Sequence, residues 1–302
     1  MAVPIMGGEV MSVRIDIELV KTLTEQPDSL APAVDNPGFR LYWRKLGLDS
    51  NQALTELTKP EVKTKLMALA DEVQGKSVLG SLGRISGASI EQQVTRHIPG
   101  GGIIDATVQF VPGAKLPLVA EGNTVAVNLF ALELHGNKLY IGDFPLLSIL
   151  ANRVHLLASE RLSPLGLENT NATPLAVFLV RMLRESCATL FFTVPVSGAT
   201  YNLWQQAEKR REEDVGFLRR YLHNGERGLG LQELEQHFSL GPSAAFVARY
   251  PLGTWMCQVI EGAFGRSYLV NLMQQTHNFV NAFEEARVKF GLPDKYSMVI
   301  FK

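Results

Sequence analysis

Four side chains suited to proton transfer and anion binding fall within two apolar runs of this chain. Leu150–Glu160 reads L-A-N-R-V-H-L-L-A-S-E and carries Asn152, Arg153 and His155. Ala176–Phe192 reads A-V-F-L-V-R-M-L-R-E-S-C-A-T-L-F-F and carries Glu185. An arginine in apolar surroundings can hold a substrate carboxylate through two parallel N–H donors, here with Asn152 assisting, or it can form a structural salt bridge. Glu185 also has two readings. It is an ion-pair partner of Arg153, Arg181 or Arg184, or it is a general acid or base tuned by burial and a nearby guanidinium. His155 is a core histidine or a catalyst. His97 closes a short helix beside Arg96, where it complements the helix dipole or enters a cleft as an acid/base group. Asp105 and Glu121 border strands and are further acids for such a cleft, with nothing to single them out. Gly100-Gly101-Gly102 lacks the Lys-Ser/Thr of a phosphate loop and reads as a hinge or turn.

The elements that must position these groups follow from periodicity. The first hundred residues read as helices broken by Pro32, Pro37, Pro60, Gly75 and Gly80. Lys59–Val73 and Ser89–His97 are helical. Alternation marks strands at Ala106–Val111 and Thr124–Phe130, with another at Asn137–Ile141 after the His135-Gly136 turn. Phe144–Glu160 is apolar enough to be buried on most sides, with Asp143 as a fitting N-cap and Pro145 early. A polar loop, Arg161–Thr173, leads to the helix Pro174–Phe191. Further helices are expected at Tyr201–Leu222, Pro242–Phe264 and Arg266–Lys289, and a terminal strand at Ser297–Phe301. The charged stretch in Tyr201–Leu222 reads as a solvated face. The expected fold is α+β and mainly α-helical. An N-terminal helical subdomain (1–100) precedes a domain (101–302) with a small sheet and then a bundle, the whole forming one compact unit.

The order of helical part, small sheet and two apolar helices resembles the gluzincin-type zinc-dependent metallopeptidases. In that family a His-Glu-x-x-His helix supplies two imidazoles and a general base, and a second helix supplies a glutamate as third ligand. Arg184-Glu185-Ser186-Cys187-Ala188 resembles the family's second helix. Tyr250-Pro251-Leu252-Gly253 and Ile260-Glu261-Gly262-Ala263-Phe264-Gly265-Arg266 resemble its closing helices. The resemblance covers roughly Val94–Leu292 and implies a zincin-like fold. It places Tyr250 near the active site, as an oxyanion donor or a packed tyrosine. Asn152 replaces the first histidine, Arg153 the glutamate and Leu156 the second histidine. His155 stands about 100° of helix turn off the ligand face. The resemblance therefore implies a zincin scaffold without zinc, without another cofactor and without peptide hydrolysis. Arg153 would face Glu185 where the metal sat.

Composition narrows the function classes. Lys+Arg is 29 against Asp+Glu 30, for a net charge of −1. That balance offers no field for nucleic acid or an anionic membrane. Hydrophobic residues are 46% and charged residues 20%, ordinary for a globular chain. Cys187 and Cys257 sit in apolar patterns outside any C-x-x-C pair, which suits free thiols and a cytoplasmic setting. Met1–Met11 lacks the features of a signal peptide, and no run of about 18 apolar residues marks a membrane span. The expected partner is a small molecule, and a homodimer stays open. The leading reading is a metal-independent acid/base enzyme, a lyase, isomerase or cyclase acting on a small carboxylate or amino-acid-derived metabolite, for instance by Pictet–Spengler-type condensation. Against it stands a pseudo-peptidase that binds a peptide or protein without chemistry. A zinc peptidase with a displaced ligand set is the third reading.

Overall fold

The structure, a computed structural model, describes residues 12–26, 30–101, 104–162, 173–224, 230–241 and 246–299. These form an α+β fold that is mostly helical, with small sheets and helices at the N-terminal side. The described residues group into two units, one drawn from Met1–Arg96 and Gly100–Gly142, the other from His97–Pro99 and Asp143–Lys302.

The first unit opens on β1 (Ser12–Asp16), followed by α1 (Glu18–Glu25), α2 (Ala31–Asp35), α3 (Pro37–Lys45) and α4 (Ser50–Leu57). Then come α5 (Pro60–Ala70), α6 (Glu72–Leu82) and α7 (Gly87–Thr95). The strands β2 (Asp105–Val111), β3 (Leu118–Glu121), β4 (Thr124–Asn128), β5 (Glu133–His135) and β6 (Lys138–Ile141) complete it. The main sheet runs β1-β2-β4-β3. β1 and β4 lie parallel to β2, and β3 lies antiparallel to β4. β5 and β6 form an antiparallel hairpin. β2 is central, and its Val108, Phe110 and Val111 are buried, as expected of a strand with neighbours on both edges.

Proline and glycine punctuation explains much of the helical half. Asn36 caps α3 by accepting from the Phe39 N–H at 3.0 Å, with Pro37 at the first helical position. α3 then lays Phe39, Tyr42 and Trp43 against the sheet, all three fully or almost fully buried. Three sequence expectations change here. Ser12–Asp16 is a strand, in a region read as helical. The helix expected over Lys59–Val73 divides at Asp71 into α5 and α6. Residues 104–142 pack with the N-terminal helices, because β1 supplies the edge partner of β2 and α3 covers the sheet.

The second unit contains a two-residue strand, β7 (Phe144–Pro145), then α8 (Leu146–Leu162) and α9 (Pro174–Ala188). A π-helical turn, Thr189–Thr193, extends α9. α10 (Gly198–Lys209), α11 (Arg211–Asn224), α12 (Leu231–Phe238), α13 (Pro251–Phe264), α14 (Arg266–Leu272) and α15 (Phe279–Lys289) follow. Phe178, Met182, Met256, Ile260, Phe279 and Phe283 centre its core, all buried. Gly253 lets α13 approach α9 closely: a Cβ there would stand 2.5 Å from Met182 Cγ. The helix expected over Tyr201–Leu222 breaks at Arg210 into α10 and α11. That expected over Arg266–Lys289 likewise divides into α14 and α15. Ser297–Val299 is not strand: its N–H groups turn back onto Glu284 and the Ser297 hydroxyl. Residues 300–302, 242–245 and 163–172, parts of the expected terminal strand, α13 and polar loop, lie outside the described residues. Among the described residues no helix is long and apolar enough to cross a membrane.

Candidate functional site

α8 is the axis of the site. Ile149, Leu150, Ala151 and Val154 are fully buried, so the polar residues between them are carried inside with the helix. α9 starts cleanly, with the Thr173 hydroxyl accepting from the Ala176 N–H and Pro174 at the first position. The two helices pack side by side, and the π turn packs on α8 as well.

Arg153 and Glu185 meet across this seam. Arg153 Nη2 stands 3.8 Å from Glu185 Oε2, with side-chain exposures of 12% and 17%. The same nitrogen donates to the Phe246 carbonyl. Burial lowers the Arg153 pKa, the Glu185 carboxylate opposes that shift, and the Arg249 charge adds to it. Arginine stays charged under such a shift, so the seam carries a fixed cation. Of the other arginines weighed as partners of Glu185, Arg181 turns to Glu235 at 2.6 Å, which also receives Arg249 at 3.1 Å.

Asn152 and His155 face the π turn. Asn152 Nδ2 donates to Thr193 Oγ1 at 3.0 Å, and Thr193 Oγ1 donates to the Val247 carbonyl at 2.6 Å. Thr189 Oγ1 lies 2.9 Å from the Glu185 carbonyl and 3.2 Å from that of Val247. His155 Nε2 donates to the His97 carbonyl at 3.1 Å. Its ring lies against Phe191 and Phe192, with centroids 5.7 and 5.5 Å away. Burial drives the His155 pKa down to about 3, so the ring is neutral. The His97 ring stacks on Phe191 at 4.3 Å.

Tyr250 sits at the N-terminus of α13, fully buried. Its ring meets Phe178 edge-on at 5.7 Å and lies under the Arg249 guanidinium at 5.3 Å. Burial raises its pKa strongly, so the phenol keeps its proton. Asp105 and Glu121 belong to the first unit, where Glu121 pairs with Arg44 at 3.1 Å and Lys45 at 2.5 Å.

Among the described residues, the buried polar atoms of the second unit without a protein hydrogen-bond partner include five near α8 and α9: Asn152 Oδ1, Arg153 Nε, His155 Nδ1, Ser186 Oγ and Tyr250 Oη. Each such atom costs about 1–3 kcal/mol in a core. Three of them lie within one turn of α8, one beside Glu185 on α9 and one at the start of α13. No family model, curated protein or solved structure matches this chain. Its function is therefore read from this chemistry.

The residues present do not fit a catalytic zinc. The guanidinium of Arg153 stands beside the Glu185 carboxylate, so a fixed cation holds the space next to that acid, where a zinc site needs neutral or anionic ligands. Among the described residues no group of three or more His, Cys, Asp or Glu side chains is placed to hold a metal ion. Sequence reasoning missed Thr189, Thr193, Ser186 and the carbonyls of Phe246 and Val247. A backbone carbonyl has no sequence signature. The threonines read as ordinary helix positions until the π turn rotates them onto α8.

Proposed function

We propose that this chain is a metal-independent acid/base enzyme acting on a small carboxylate or amino-acid-derived molecule at the α8–α9 seam. The observation that carries this reading is the Arg153–Glu185 pair. At 3.8 Å it is looser than a saturated bidentate salt bridge, and Arg153 Nε remains without a protein partner. Arg153 binds the substrate carboxylate. Glu185 takes a proton from the reacting carbon or nitrogen and returns it to the product. Tyr250, held protonated, donates a hydrogen bond to developing negative charge. Condensation, cyclisation and isomerisation need no more than these roles. A zincin-like ancestry accounts for the helix pair, with Arg153 taking the place of the cation.

The complete burial of Asn152, His155 and Tyr250 favours a second reading, a pseudo-peptidase that binds a peptide or protein without turnover. Incubating the full chain with aromatic amino acids and simple aldehydes, followed by mass spectrometry of products, separates the two. The enzyme reading expects a condensed product from wild type. It expects at least a roughly hundredfold loss of that product in Arg153→Met and Glu185→Gln proteins that keep wild-type circular dichroism. Turnover that survives both substitutions would overturn the assignment of these residues. Peptide binding without any product supports the module.

A further inference from the structure

We infer that the ligand of this seam presents a hydrogen-bond donor, a primary amine or its ammonium ion, and that Asn152 Oδ1 and His155 Nδ1 receive it. The inference rests on the reading that the seam takes up a small molecule, and it follows from the direction each hydrogen bond must have. A carbonyl oxygen only accepts, so Thr193 Oγ1, 2.6 Å from the Val247 carbonyl, directs its single proton there. The hydroxyl lone pair then faces Asn152 at 3.0 Å, and the carboxamide must offer its N–H. That orientation turns Oδ1 away from Thr193. It has no protein partner, although Asn152 is fully buried.

His155 obeys the same logic. Its Nε2, 3.1 Å from the His97 carbonyl, carries the proton. Burial keeps the ring neutral, so Nδ1 is a bare lone pair without a protein partner. Asn152 and His155 are three residues apart on α8 and share one face. The π turn covers that face and sets Phe191 and Phe192, both half-buried, beside the histidine. Two acceptors next to aromatic rings repel a carboxylate and attract an arylalkylamine. Arg153, on the adjoining helix face, is the group that would take a carboxylate. An aromatic amino acid satisfies both halves.

The test uses the full chain and three probes: phenethylamine, 3-phenylpropionate and L-phenylalanine. Calorimetric titration is paired with long-range 1H–15N spectra of the histidines. Phenethylamine is expected to bind and to move the His155 Nδ1 resonance upfield, away from a bare pyridine-type nitrogen. Asn152→Leu is expected to weaken phenethylamine at least about tenfold and 3-phenylpropionate by no more than about twofold. If 3-phenylpropionate binds and phenethylamine does not, the ligand-site reading stands and this inference is wrong. The inference is equally overturned if the amine binds while His155 Nδ1 stays put, the result a buried water alone would give. If none of the three probes binds, the ligand-site reading fails and the inference with it. The wild-type spectra decide the matter even if Asn152→Leu does not fold.

Discussion

Asp143 Oδ2 accepts the backbone N–H of Thr200 at 3.0 Å, so the aspartate just ahead of α8 caps the third residue of α10. Gly198, at φ +79°, makes this possible. A Cβ there would lie 2.0 Å from Asp143 Oδ1. From its position Asp143 reads as a cap for the helix that follows it. That helix begins later, at Leu146, because Phe144 and Pro145 are extended.

Asp143→Ala is expected to cost about 1–2 kcal/mol, the usual loss for a removed cap. Gly198→Ala is expected to cost more, because it adds both a clash and an unfavourable φ. Urea denaturation of the two variants checks the order.

The Arg153–Glu185 pair is mostly buried, so removing one charge strands the other. Arg153→Met is expected to destabilise the protein by roughly 3 kcal/mol. In Arg153→Met/Glu185→Gln the loss should be smaller than the sum of the single losses, because no unpaired charge remains. A double-mutant cycle by chemical denaturation reads the coupling. Strict additivity would mean the two groups do not interact.

Thr193 links Asn152 to the Val247 carbonyl. Thr193→Val keeps the shape and removes the hydroxyl, leaving the Asn152 N–H without that acceptor. A loss of about 1–3 kcal/mol is expected. Thr193→Ser keeps the hydroxyl and should recover most of it. Thermal denaturation of the pair separates hydrogen bonding from packing.

His155 makes stability depend on pH. Its folded pKa of about 3 lies below the unfolded value of 6.5, so between those values the unfolded chain binds more protons. The stability it permits is complete above the unfolded pKa and is lost as pH falls from there towards the folded pKa, by up to about 1.4 kcal/mol per pH unit. His155→Phe is expected to flatten the stability profile between pH 6 and pH 4 relative to wild type. Equal slopes in the two proteins would show that His155 is protonated in the folded state.

What the sequence determined by itself is what periodicity and punctuation encode. The apolar runs around Asn152 and Glu185 are buried helices, α8 and α9. The alternating segments are β2 and β4. Arg153 and Glu185, one from each apolar run, stand 3.8 Å apart across the two helices. The helices and strands themselves are local properties, set by side chains a few positions apart.

The tertiary structure decided which partner each of those groups takes. It chose Arg153 for Glu185 and gave Arg181 to Glu235. It drew Ser12–Asp16 into a sheet whose next strand begins at Asp105. It turned the end of α9 into a π turn and so fixed which way the Asn152 carboxamide points. Those outcomes depend on carbonyls and charges dozens of residues away along the chain. Hydrogen-bond direction and ion pairing are properties of atoms brought together in space, and no local pattern in the chain records them.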